Sequence, residues 1–336
     1  MKKTLLLLSA LALVWAVKAV NADGGTPPDV LYASVFHSQG LNFSQVKPWH
    51  LKAHYTVLKA GKMVSGIFEE WWVAPHTYRL SYSRKGFVQT DYATDAGLFR
   101  VGEQQWPVGD EGLIHEEIAQ PLPVMPDAKE AQLRMAAYDG NQGLRCVEVA
   151  YNPGAENAAK PSDPVYCMDR GRPVLRITAL HGMQNLTTYN RITQFQGHYV
   201  AGDIQNTWFN QTLLTLTVDS LESLTVVDAV MFAPPAGATL LSKDKVILPS
   251  GALTALKLFS PTYPTLAKQI RSEGKVNVQV TIDRLGRVVK VSGATGPPLL
   301  RQPAIDAVSH WIFRPFLFCG DPVEVEAEVP IGFSLN

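Results

Sequence analysis

The chain has 336 residues, 46% of them apolar and 18% charged, with 30 Lys+Arg balanced by 30 Asp+Glu. That length exceeds what one hydrophobic core usually serves, so two domains are expected, and the apolar content excludes a disordered chain. A net charge of zero argues against nucleic acid as a partner, because phosphate binding needs a basic surface.

Residues 1–22 read as a signal peptide. Lys2 and Lys3 precede an apolar run from Thr4 to Val17, and Val20, Asn21 and Ala22 supply the small residues of a cleavage site. A helix over that run reaches about 21 Å, short of a hydrocarbon core of about 30 Å. The mature chain is therefore expected to start at Asp23, in the periplasm. An uncleaved inner-membrane anchor facing the periplasm is the alternative.

Residues 23–235 read as β-rich. Trp49 to Val57 alternates, Met63 to Val73 follows a turn at Gly61-Lys62, and Thr77 to Ser83 and Gly86 to Asp91 continue as short strands. Turn signals this frequent suggest an antiparallel meander. Pro107 to Met125 and Asp127 to Tyr138 read as helical or irregular interruptions, and Pro173 to Leu180, Asn185 to Phe195 and Leu213 to Val227 as strands. Cys146 and Cys167 lie in two strand-like runs joined by a polar loop. They read as a hairpin disulfide in an oxidising compartment, with two buried thiols as the alternative. Cys319 is left over and reads as packed.

Residues 236–256 read as a linker, and residues 257–336 as a small domain of two helices on a three-stranded antiparallel sheet. Tyr263, Leu266, Ala267 and Ile270 mark one helical stripe, with Pro264 in its first turn and Gly274 at its stop. Val276, Val278, Val280 and Ile282 alternate with polar residues, and Asp283 to Gly286 is a turn into Val288 to Ser292. Pro303 opens a second helix over Ala304, Ala307, Val308 and Trp311. In the last strand, Val323, Val325, Ala327 and Val329 share one face while Glu324, Glu326 and Glu328 line the other. Pro330 lacks an N–H, which points to a sheet edge or bulge.

The series Tyr263-Pro264, Gly274, Gly286, Trp311, Phe313 and Pro315, in this order and spacing, resembles the TonB C-terminal family. The resemblance implies a domain that docks envelope partners, such as outer-membrane transporters, by strand addition. The residues from Val323 to Val329 are then the candidate docking edge. The departures are a leader that reads as cleaved and a short linker, where a force-transducing member would carry an anchor and a long proline-rich rod.

In the first domain, Gly66, Phe68, Trp71, Trp72 and Pro75, followed by Tyr78 and Arg79, resemble the LolA-type lipoprotein carriers. That resemblance implies a half-barrel with helical insertions and a concave face for an acyl chain, with Phe68, Trp71 and Trp72 as cavity candidates. Trp71 and Trp72 point to opposite faces of a strand, so one is expected in the core and the other at the surface.

No catalytic grouping is legible. His115-Glu116-Glu117 lacks the second histidine of a zinc-protease helix, and no nucleophile elbow or phosphate loop is present. The chain is expected to be neither an enzyme nor a metal or cofactor protein. The α+β class stands, with three functional readings open: a periplasmic partner-docking protein, a carrier of a lipid or lipoprotein, and an anchored energy transducer if the leader stays.

Overall fold

The computed structural model describes residues 25–102, 112–137, 143–151, 163–243, 246–248 and 252–335. The expected signal peptide lies outside the described residues. Helix α1 (Pro28–Ser38) comes first, with Pro28 at its first position and Leu31, Tyr32 and Val35 turned inward. The sequence reading places no helix there, because the buried positions make only a short stripe.

Strands β1 (Trp49–Lys59), β2 (Lys62–Ala74), β3 (Thr77–Arg84), β4 (Phe87–Thr94) and β5 (Gly97–Gly102) follow as hairpins. Helix α2 (Ile114–Ala119) precedes β6 (Ala131–Ala136), β7 (Leu144–Tyr151), β8 (Val165–Asp169) and β9 (Leu175–Leu180). Then come β10 (Asn185–Phe195), β11 (His198–Trp208), β12 (Gln211–Ser223) and β13 (Thr239–Leu241). Together these strands form a 13-stranded sheet in the order β13-β5-β4-β3-β2-β1-β12-β11-β10-β9-β8-β7-β6. Alternation decides which face is buried. In β1, Trp49, Leu51, Ala53, Tyr55 and Val57 face the core while Lys52 and His54 face out.

The sheet curls around α2. His115 on this six-residue helix meets Glu70 on β2, while Glu117 meets Tyr189 on β10. Three strands lie between β2 and β10 in the sheet order, which would hold them about 19 Å apart in a flat sheet. A helix of about 9 Å reaches both only if the sheet wraps it.

One expectation fails in this domain. Asp127 to Tyr138 contains β6, where helix or irregular structure is expected, because its backbone pairs antiparallel with β7 from Ala131↔Tyr151 to Ala136↔Cys146. Cys146 and Cys167 sit directly opposite on β7 and β8 and are disulfide-bonded. Their sequence separation of 21 gives about 3 kcal/mol in the chain-entropy model. Urea unfolding with and without reductant is expected to differ by about that amount.

The remaining elements are β14 (Val246–Leu248), β15 (Ala255–Lys257), α3 (Thr265–Gln269), β16 (Gly274–Ile282), β17 (Val288–Thr295) and α4 (Pro298–Val308). After them come β18 (Ile312–Phe313), β19 (Leu317–Phe318), β20 (Asp321–Pro322) and β21 (Val325–Phe333). The sheet here has four strands, ordered β14-β21-β16-β17, where three are expected. The extra strand comes from the segment read as a linker, which also gives β13 to the large sheet and β15 to a short pair with β18.

Three helix details also differ. Ala267 of α3 is buried, but Leu266 and Ile270 are 54% and 62% exposed, since a five-residue helix presents little more than one inward position. Gly274 opens β16 instead of ending α3; its φ is +137°, and a Cβ there would meet the Pro297 ring at 3.2 Å. Helix α4 starts at Pro298 and holds Pro303 in its interior. The proline removes the donor for the Leu299 carbonyl, while Leu300, Ala304, Ala307 and Val308 anchor the helix on the sheet. One continuous buried cluster includes Trp49, Trp72 and Tyr189 from the large sheet with Val278, Val329 and Phe333 from the small one.

Candidate partner-docking site

The last strand owes its position to its alternation. Val325, Ala327, Val329, Ile331 and Phe333 are buried, and β16 pairs along the whole strand, from Gly274↔Phe333 to Ile282↔Val325. Glu326 and Glu328 lie on the other face, opposite Thr281 and Gln279. Val323 and Glu324 precede the strand; the Val323 N–H donates to the Phe316 carbonyl.

The expected free edge is only partly free. On the side away from β16, β14 runs parallel to the strand and pairs Val246↔Val325, Ile247↔Glu326 and Leu248↔Ala327. Among the described residues, nothing pairs with residues 328–333 on that side. Pro330 falls in this uncovered stretch, which suits a residue with no donor to offer. Gly332 is also there, with open space where a Cβ would stand. The sheet's other outer strand is β17, paired only with β16 among the described residues.

The family-motif residues hold this sheet together. Tyr263 donates its hydroxyl to the Ser272 carbonyl and packs edge-on against Phe333 at 5.5 Å between ring centres. Trp311 donates its indole N–H to the Phe259 carbonyl at 2.9 Å, and Phe313 is buried. Gly286 has φ +81° and accepts the Phe313 N–H at 2.8 Å. Its turn is pinned by the Asp283 carboxylate, which accepts from the N–H groups of Leu285 and Arg287.

Just past Phe313 the chain enters the concave face of the large sheet. Arg314 bonds Glu116 through Nε at 2.8 Å, approaches Glu117 at 3.5 Å and donates to the Gln120 carbonyl. Glu117 also accepts the Tyr189 hydroxyl. Burial raises the Glu117 carboxyl above its ordinary range, with Arg314 and Tyr189 opposing. Lys257 makes a second link: its buried ammonium meets Asp163 at 3.0 Å and the Tyr151 carbonyl at 2.6 Å. Sequence reading missed both links, since an arginine before a proline and a lysine at the start of the second domain carry no local sign of a distant carboxylate.

The carrier residues are engaged in ring contacts on the two faces of β2. Phe68 and Trp72 are buried, with Trp72 stacked on Trp49 at 5.9 Å and Phe68 against Tyr82 at 5.1 Å. Trp71 lies on the opposite face, stacked on His50 at 4.6 Å with Arg79 over its ring. The cavity between the concave face and the 314–319 segment holds about 100 Å³ and is bordered by Tyr78, Asp91, Arg100, His115 and Cys319. Sites for drug-sized ligands run about 300–1,000 Å³. Asp91 and Arg100 form a buried two-point ion pair there, and burial pushes the Cys319 thiol up to about 12.

Two histidines carry opposite pH signs. Burial is the largest single influence and pulls His115 down, but the Glu70 carboxylate at 2.9 Å, joined by Glu116 and Asp91, outweighs it, so the net shift is upward. Its contribution to stability is present below the unfolded value near 6.5 and lost as pH rises through the folded value. Burial holds His181 at about 4. Its neutral form is favoured by the fold, so that contribution is present above pH about 6.5 and lost as pH falls toward 4. NMR titration is expected to give His115 above and His181 well below the free-imidazole value.

Comparison with known proteins bears on the small sheet. Residues 260–335 match the family model described as Gram-negative bacterial TonB protein C-terminal. Protein TonB of Vibrio cholerae serotype O1 is 28% identical over 105 residues, which is 31% of this chain and 43% of that protein. The chain thus spans less than half the length of the curated relative it matches.

The TonB-like segment contains β16, β17 and β21, whereas β14 lies outside it. Among solved structures, a LolA superfamily protein from Nitrosomonas europaea is similar at 6% identity and a TM-score of 0.41, covering 62% of this chain and 99% of that one. A lipoprotein-sorting protein domain from Vibrio parahaemolyticus gives 9% and 0.37, covering 55% and 89%.

Proposed function

We propose that this chain is a periplasmic docking protein, whose TonB-like sheet takes an extended segment of an envelope partner, an outer-membrane transporter being the class the family suggests. The observation that carries the reading is the TonB C-terminal match over residues 260–335. The last strand supports it with an uncovered stretch at residues 328–333. Strand addition needs unpaired backbone groups for affinity and alternating side chains for choice, and residues 328–333 offer both apart from the N–H that Pro330 lacks. Glu326 and Glu328 put two carboxylates on the outer face of the edge strand, with Lys275 and Lys290 on the strands behind it, and so favour a partner with basic residues near 326–328. No enzymatic step is part of this reading.

The experiment uses tagged full-length protein and detergent-solubilised outer membranes. Wild type is expected to retain a transporter, and the double variant Glu326→Lys, Glu328→Lys to retain much less. Equal retention by both would contradict docking along this face. N-terminal sequencing of the exported protein is expected to give a start at Asp23; a start at Met1 would restore the anchored reading. The carrier reading has less support, because Phe68 and Trp72 are consumed by packing.

A further inference from the structure

We infer that β14 is a built-in competitor for the partner's strand: it occupies the start of the β21 edge and must peel away for a parallel partner segment to dock along the whole strand. The inference rests on the docking reading above and adds to it an orientation, a side-chain pattern and a control.

The pairing itself shows what the edge accepts. Val246 and Leu248 are buried beside Val325 and Ala327, whereas Ile247 is 57% exposed beside Glu326. An occupant therefore runs parallel to β21, puts apolar side chains at alternate positions on the core face, and leaves the intervening side chain on the face of the glutamates. A partner with Lys or Arg at those intervening positions gains charge complementarity that Ile247 lacks.

β14 is poorly placed to hold the edge against such a partner. It has three residues and β21 has nine, so it satisfies one third of the ladder. Pro249 follows directly and brings no N–H to extend the pairing. A parallel ladder is also slightly weaker per residue than an antiparallel one. What favours β14 is connection: β13 is fixed on β5, and β15 is fixed on β18. A tethered strand competes at an effective concentration in the millimolar range. The same chain segment thus augments both sheets, and releasing β14 withdraws only Val246 and Leu248 from the buried cluster, places that the apolar side chains of an incoming strand refill.

The test uses full-length protein and a fluorescein-labelled peptide with the sequence of residues 243–251. Three proteins are compared: wild type, Leu248→Asp to detach β14, and Ile247→Cys with Glu326→Cys to lock it by a disulfide. Hydrogen exchange at residues 246–248 verifies detachment. Ile247→Pro replaces Leu248→Asp if the latter does not fold, and wild type under oxidant and reductant controls for the Cys146–Cys167 bridge.

The peptide is expected to bind the detached variant at least about tenfold more tightly than wild type, and to bind the locked variant only after reduction. A spin label at the peptide's N-terminus is expected to broaden signals near Val325, not Phe333. Equal binding to all three proteins would overturn the competitor role and leave the docking reading intact. Absence of binding to a folded chain with β14 detached would overturn strand acceptance at this edge, and the docking reading along with it.

Discussion

Replacing Arg314 by alanine is expected to destabilise the protein by about 3–5 kcal/mol, the cost of removing one member of a buried ion pair. The guanidinium is the only positive group described in contact with Glu116 and Glu117, at 2.8 and 3.5 Å, and all three side chains are largely buried. Without it, two largely buried carboxylates on adjacent residues of α2 are left with no positive partner described in contact with them. Glu117 then takes up a proton, because its carboxyl is already raised by burial and Arg314 is a main opposing influence.

The loss is therefore expected to be largest at neutral pH and to shrink as pH falls through the raised Glu117 value. Urea unfolding of wild type and Arg314→Ala at pH 7.5 and pH 5 measures this. A loss below about 1 kcal/mol at pH 7.5 would mean that the link between the two sheets rests elsewhere, with Lys257 and Asp163 the first place to look.

The second large effect is expected at Gly286, where alanine should destabilise by about 3 kcal/mol or more. A left-handed backbone costs a residue with a Cβ about 1–2 kcal/mol, and φ here is +81°. The surroundings raise the cost. A Cβ at Gly286 would lie 1.9 Å from the Phe313 carbonyl oxygen, so the β16–β17 turn would have to leave β18. That move breaks the Phe313 N–H bond to the Gly286 carbonyl and the bridge between Arg287 and Ile312. Gly61 makes a control, since it is also at positive φ but has open space around it. Gly61→Ala is expected to cost only the backbone contribution, about 1–2 kcal/mol. Thermal unfolding of both variants separates the two contributions; equal losses would contradict the close approach at Phe313.

Elements that bury one face and expose the other were legible in the sequence. β1 and β16 alternate residue by residue, so their inward sets follow from period two alone. The disulfide was legible because both cysteines fall in strand-like runs across one loop, in a chain whose first residues read as an export leader. What was hidden depends on a distant partner. β6 is built from Ala, Gln, Leu, Arg and Met, all competent helix formers, and it is a strand because β7 lies beside it.

β14 was hidden for a related reason. Three apolar residues carry no period, so nothing within residues 236–256 separates a linker from a strand until β21 is placed next to it. The last strand does lie toward one edge of the small sheet, with the first part of that edge occupied by the protein's own chain. Arg314 belongs to a recognisable motif, yet its contacts with α2 come from how the two sheets meet.

The central claim is that an envelope partner docks on the open part of the last strand. It is tested most directly by placing a photo-crosslinking amino acid at Gly332, which has open space beside it, and a control at Lys52, exposed on β1 of the large sheet. Irradiation of living cells, followed by mass spectrometry of the adducts, should give an outer-membrane partner from position 332 and not from position 52. The same adducts from both positions, or partner capture at position 52 alone, would contradict the account.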